Sequence, residues 1–282
     1  MTAPGAEEFL VVTRDDVCAL PLVRRAAALL DRDPLTYRDG DLLPRGWQFM
    51  LFTQETRQSE LAPDGFTPLE NELPGFAAKR VMLGGRRIQY HLDLTIGEPV
   101  RQQSEILSMQ RKDGRSGPLA IVTRRHAIYG ADATQPAIVE ESDMVYRGEA
   151  TAGSTAQPAG APAASAPVAA HQEAFLPTTD MLFRYSALTF NAHRIHYDAP
   201  YATGAEGYPG LVVNGGLIAL WLTDWCQRFS GIRIVRTELR SVRPLFCDRP
   251  ATLKACRAEA GWHVWAENEA GLVAQEGLIA GG

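Results

Sequence analysis

The sequence predicts an α+β protein of two similar halves, each an antiparallel sheet meandering beside one helix. Three observations predict it. A strand, turn and strand pattern occurs twice, an apolar stretch of helical character precedes the second copy, and the copies are separated by a segment that cannot fold. That segment, Thr151-Ala-Gly-Ser-Thr-Ala-Gln-Pro-Ala-Gly-Ala-Pro-Ala-Ala-Ser-Ala-Pro-Val-Ala-Ala170, is small residues and prolines, which bury too little apolar surface to offset the entropy of ordering. The chain therefore divides into residues 1–150, a linker over 151–172 and residues 173–282, each flank the size of one compact domain.

In the first half, Gly84-Gly85 predicts a turn before a strand that starts at Arg86. Arg87 to Val100 alternates apolar and polar residues and turns at Gly97-Glu98-Pro99. Asp113 to Pro118 marks the next turn, and Leu119 to His126 a further strand. In the second half, Glu206-Gly-Tyr-Pro-Gly-Leu-Val-Val-Asn-Gly-Gly216 is a glycine-rich approach to Leu217-Ile-Ala-Leu-Trp-Leu-Thr-Asp224, which reads as a buried helix. Thr237 to Leu253 repeats the strand pattern with its turn at Asp248-Arg-Pro250, and Trp262 to Glu267 follows a turn at Ala260-Gly261. Trp221 and Trp225, four apart beside Leu217 and Leu222, read as core in preference to an acyl tunnel. His91, His126 and His263 fall in predicted strands and read as structural, and His171 at the linker end reads as carrying no chemistry.

A chain of 282 residues that is 45% hydrophobic and 22% charged has the makings of a soluble globular protein with a sizeable core. The net charge of -5, with basic residues dispersed, gives no electrostatic footprint for nucleic acid or an anionic membrane, so neither partner is expected. No apolar run long enough to span a bilayer occurs, and Met1-Thr-Ala-Pro-Gly-Ala-Glu-Glu8 lacks a secretory pattern, which points to the cytoplasm. Cys18, Cys226, Cys247 and Cys256 show no C-x-x-C spacing and fit reduced, buried thiols. No P-loop, dinucleotide fingerprint or helical H-E-x-x-H occurs.

The chemistry concentrates in Asn191-Ala-His193-Arg194-Ile-His196-Tyr-Asp198, where two imidazoles, an amide and a carboxylate share eight positions. Neutral imidazole is the side chain best suited to move a proton near neutral pH. The glycines that follow open a helix whose first turn can hold an anion. The same residues also fit polar decoration of an extended segment, Asp198 before Ala-Pro fits a turn initiator, and Arg243 fits either a strand surface charge or an anion contact.

The stretches Phe183 to Asp198, Glu206-Gly-Tyr-Pro-Gly-Leu-Val-Val213, Arg240-Ser-Val-Arg-Pro-Leu-Phe246 and, more loosely, Gly114-Arg-Ser-Gly-Pro-Leu119 resemble the MaoC-like hotdog-fold thioester hydratases and dehydratases. The branch they resemble most contains mesaconyl-C4-CoA hydratase and mitochondrial 3-hydroxyacyl-thioester dehydratase. The resemblance implies a double hotdog, two sheets side by side, each wrapped around a long helix, with the active site in the crevice between the halves. It implies reversible syn addition of water to an enoyl thioester on CoA or an acyl carrier protein, with a short, branched or dicarboxylic acyl group. No metal or redox cofactor is implied, and a homodimer is compatible.

In the family motif Asp-x-Asn-Pro-x-His, the position five before His196 is occupied here by Asn191, and His193 takes the motif's asparagine position. Asn191 and His196 are the pair carried over. An amide cannot serve as an ordinary acid or base but can hold water or hydroxyl by hydrogen bonds. Asp198 is the nearest remaining carboxylate, expected to orient an imidazole or the water. Where the branch usually has His-Gly-Pro, this chain has Asn214-Gly215-Gly216. The Gly215 N–H is the expected contact for the thioester oxygen, because a residue without Cβ admits close approach. The resemblance makes His193, Arg194, Tyr201, Tyr208, Asn214, Gly216 and Arg243 the candidate substrate contacts, with Arg194 and Arg243 toward the pantetheine arm. It also puts Leu43 to Phe52 in a first-half pocket wall. The change at Asn214 leaves open a redirected elimination or cyclisation, or binding without catalysis.

Overall fold

The computed structural model describes residues 11–66, 76, 80–114, 117–148 and 167–282. The first half runs β1 (Val12–Val17), α1 (Leu20–Leu29), β2 (Arg80–Tyr90), β3 (Pro99–Gly114), β4 (Gly117–Tyr129) and β5 (Ile138–Arg147). The second runs β6 (His171–Phe175), α2 (Thr179–Leu188), α3 (Ala199–Gly204), α4 (Gly215–Ser230), β7 (Ile234–Ser241), β8 (Ala251–Ala258), β9 (Gly261–Glu267) and β10 (Val273–Gly281). The strands lie in the order β1-β3-β4-β5-β2-β7-β10-β9-β8-β6. Read inward from either edge, the two halves have the same order, strand for strand, and every pairing is antiparallel.

Two expectations change. The halves do not carry separate sheets: β2 pairs with β7 from Gly85↔Arg240 to Gln89↔Arg236, so the sheet is continuous. Nor does each half wrap a long helix. The sixteen residues of α4 pack on β7, β9, β10 and β2 through Leu217, Ile218, Leu222 and Trp225, and the helix stops at Gly231 in left-handed backbone. At the matching place in the first half, the described residues form only a 3-10 turn, Trp47–Met50. Left-handed backbone at Gly46 (φ 97°) and Phe52 (φ 55°) brackets that turn and keeps it short.

Gly84 and Gly85 make no turn but lie inside β2, where the register slips between Leu83 and Gly85. One extra residue reverses the facing of everything after it, so Ile88 and Tyr90 are buried while Gln89 is exposed. A Cβ on Gly84 would sit 2.8 Å from Val145 Cγ2, so the bulge needs glycine. Most of the expected linker, residues 151–166, lies outside the described residues, as do Arg115 and Ser116 of the loosest motif. The linker's last two positions are strand: His171 begins β6 and stacks on Phe229 at 4.4 Å. His91 sits in a bend after β2, while His126 and His263 are in strands as expected. Trp225 is buried in the core and Trp221 packs on Phe175. Burial pushes the thiols of Cys18 up to about 12 and of Cys226 up to about 11, which suits inert cysteines.

Candidate active site

The Asn191 to Asp198 segment takes its shape from local hydrogen bonding. α2 closes with Phe190 in left-handed backbone (φ 50°) and the Asn191 N–H reaching back to Ser186 O at 2.8 Å, the six-to-one bond of a Schellman ending. Asn191 Oδ1 then accepts from the His193 N–H at 2.9 Å, an Asx turn that starts the 3-10 turn Arg194–His196. Val212 N–H donates to Ile195 O at 3.0 Å, and His196 Nδ1 lies 2.7 Å from Val212 O. A carbonyl can only accept, so Nδ1 carries the proton and Nε2 keeps its lone pair. Burial depresses the His196 pKa to about 3 and that of neighbouring His193, 5.4 Å away ring to ring, to about 4. Both imidazoles are neutral near pH 7, and desolvation makes His196 a weaker base than an ordinary imidazole.

The second component is the start of α4. Asn214 stands at the N-cap position, yet its side chain makes no cap; its Nδ2 turns instead to Ser186 Oγ at 3.5 Å. The Gly215 and Gly216 N–H groups have no intrahelical acceptor, as the first N–H groups of any helix do not, and none of the described residues accepts from them. Gln275 Nε2 donates to Gly215 O and to Ser241 Oγ, both at 3.2 Å, and fixes the orientation of this first turn. At Gly216 a Cβ would collide with the Tyr185 hydroxyl.

These groups open on one cavity of about 1330 Å³ between the halves, lined by Asn191, His193, His196, Asn214, Gly215 and Gly216. Tyr208 and Arg243 line it too, Arg243 tethered to Val273 O at 2.8 Å. The first half supplies an apolar wall that includes Phe49, Leu51, Phe52 and Met144, the first three from the predicted stretch.

Three candidates do not belong to the cavity wall. Asp198 spends Oδ1 on the Tyr201 N–H, capping α3, and Oδ2 on Arg194 at 2.7 Å. Its carboxylate is held below the usual range by Arg194 and is structural. Arg194 is a clamp between the halves, donating from its guanidinium to Pro63 O and from its backbone N–H to Asp64 O, with its guanidinium 4.1 Å over the Tyr201 ring. Tyr201 in turn donates to Glu206. Asp-Ala-Pro is a helix-start signature, and in these residues the turn-initiator reading prevails.

Several cavity groups escaped sequence reasoning. Tyr185 and Ser186 come from α2, Ser241 and Gln275 from β7 and β10, and Arg86 and His126 from the first-half sheet. His126, expected to be structural, lines the cavity, with Nδ1 2.7 Å from Ser104 Oγ and its pKa depressed to about 4 by burial. Strand pairing brings Arg86, His126 and Gln275 here, and no local motif marks them, whereas Tyr185, Ser186 and Ser241 lie within the stretches that carry the resemblance, which gives them no role.

A family model described as hydroxyacyl-thioester dehydratase type 2 matches residues 46–247. The chain belongs to that family. A curated relative, mesaconyl-C(4)-CoA hydratase of Chloroflexus aurantiacus, is 40% identical over 242 residues, 86% of this chain and 84% of the relative. Among solved structures, HtdX of Mycobacterium tuberculosis superposes with a TM-score of 0.68 at 16% identity, covering 96% of this chain and 100% of that one. A conserved hypothetical protein of the same organism, described as having a double hotdog fold, gives 0.57 at 13% identity, covering 97% and 96%. The fold of this hydroxyacyl-thioester dehydratase type 2 family member is the double hotdog, and the chain is a hydro-lyase of the class that adds water to enoyl thioesters or removes it.

Proposed function

We propose that the chain hydrates a short enoyl-CoA reversibly, with His196 moving the proton, Asn191 holding the water and the first turn of α4 meeting the thioester oxygen. The observation that carries this assignment is the uncapped pair Gly215 and Gly216, facing the same cavity as a histidine whose tautomer Val212 O fixes. With Oδ1 engaged by His193, the Asn191 side chain offers Nδ2–H to a water oxygen. His196 Nε2 accepts that water's proton as the oxygen bonds to the β-carbon, and the π electrons move to the thioester oxygen. There the Gly215 and Gly216 N–H groups stabilise the enolate. The imidazolium then returns its proton to the α-carbon on the same face, which gives syn addition and restores neutral His196. Dehydration runs the same steps backward, His196 taking the α-proton.

CoA as the carrier rests on the name of the Chloroflexus relative. The test incubates wild type and His196→Ala with crotonyl-CoA and mesaconyl-C4-CoA, following water addition by mass spectrometry. Turnover that collapses in the variant supports the assignment. Equal turnover in both proteins removes His196 from the reaction, and no turnover in either removes enoyl-CoA hydration.

A further inference from the structure

The cavity wall is rich in arginine. Arg86, Arg124, Arg147 and Arg243 line it, and among the described lining residues the only carboxylate is Glu206. Of these arginines, Arg86 also borders a small recess with Gly216, at the start of α4. It reaches the inner face through the bulge at Gly84, which turns Arg86 inward beside Ile88 and Tyr90 and sends Arg87 outward to Asp143. Glu140 holds it from one side, its Oε1 2.9 Å from Nε, and Gln48 braces the other oxygen of Glu140 at 3.4 Å. The Nε contact lacks hydrogen-bond alignment, and no described residue accepts a hydrogen bond from the guanidinium. The side chain is 24% exposed, and Arg86 lines the cavity.

A largely buried guanidinium with several unused donors is matched by a planar anion that can take two of them at once. On the hydration reading the thioester carbonyl sits at the start of α4, where Gly216 shares a recess with Arg86, which favours a group on the acyl chain over a phosphate of the CoA moiety. A carboxylate at the far end of a short acyl chain fits.

We propose that Arg86 recognises a carboxylate on the acyl group and thereby selects short enoyl thioesters of dicarboxylic acids. Glu140 positions Arg86 and tempers its charge, which lets the anion enter and leave. The proposal rests on the hydration reading above and deepens it.

The experiment compares kcat/KM on mesaconyl-C4-CoA, which carries the carboxylate, with that on crotonyl-CoA, which does not, in wild type, Arg86→Gln and Arg86→Lys. The expected result is a preference for the carboxylate substrate in wild type that falls at least 30-fold in Arg86→Gln and is partly restored in Arg86→Lys. A parallel loss on both substrates, or an unchanged ratio, overturns the proposal. Hydration of crotonyl-CoA with no preference for the dicarboxylic substrate overturns it while leaving hydration intact, whereas hydration of neither overturns both readings. Should Arg86→Gln not fold, wild type decides: succinyl-CoA is expected to inhibit at least tenfold more strongly than butyryl-CoA, and equal inhibition overturns the proposal.

Discussion

The two halves share a strand order and differ in what lies against it. In the second half α4 fills the concave side of the strands with Leu217, Leu222 and Trp225, and its first turn faces the cavity. In the first half the 3-10 turn Trp47–Met50 leaves that side unfilled, and Phe49, Leu51 and Met144 become cavity wall. On the proposed reading, the same architecture makes catalytic machinery where the helix is present and a substrate chamber where it is absent. Function here tracks the contents of the sheet more than its topology.

The comparison breaks most clearly at His196. His196→Ala is expected to lower kcat by about 10²–10⁴-fold. Phe49→Ala in the opposite wall should act chiefly through KM, which steady-state kinetics on one enoyl-CoA separates. A large kcat loss from Phe49→Ala would erase the division of labour.

Next in size is Gly216→Ala, whose new methyl group meets the Tyr185 hydroxyl and, on the proposed reading, pushes the first turn of α4 away from the thioester oxygen. A loss of roughly 10–10² in kcat is expected, since one oxyanion donor is worth up to about 10³. The double variant Gly216→Ala with Tyr185→Phe should recover most of it. Smaller again is Gln275→Leu, which releases Gly215 O and Ser241 Oγ. About tenfold in kcat and about 1 kcal/mol of stability by urea denaturation are expected from losing the two hydrogen bonds.

A last effect concerns pH and falls on stability alone. His196 and His193 have folded pKa values of about 3 and about 4, below the ordinary 6.5, so the unfolded chain binds protons more readily. Their contribution to stability is intact above about pH 6.5 and is lost as pH falls, by up to about 1.4 kcal/mol per pH unit for each imidazole. Urea midpoints measured from pH 7 to pH 5 should fall less steeply for His193→Phe than for wild type. Identical slopes would mean that His193 is hydrated and not desolvated.

The sequence displayed the catalytic half well because its parts are local. Asn191, His193 and His196 lie in one tight turn, and Gly215 follows within twenty residues, so motif and cavity coincide. Strands showed through their alternation and turns. Asp198 was ambiguous since a capping aspartate and a catalytic one look alike until their partners are known, and Asp-Ala-Pro favours the cap. The first-half contribution was hidden for a different reason. Arg86 faces the cavity only because a bulge at Gly84 shifts its register, and His126 does so from a strand two places away in the sheet. Nor could alternation within either half show that β2 and β7 would pair across the middle.

That central pairing sets how the protein can move. Five residue pairs of backbone ladder, from Gly85↔Arg240 to Gln89↔Arg236, run beside the reaction chamber. Breaking them would strip paired amides of their partners, so opening by a hinge between the halves is disfavoured. Substrate and product would then enter and leave without such a hinge, past the exposed rings of Phe183 and Phe190 that line the cavity. Turnover would then be paced by side-chain gating and ligand egress, and the melting curve should show one cooperative transition for the whole sheet.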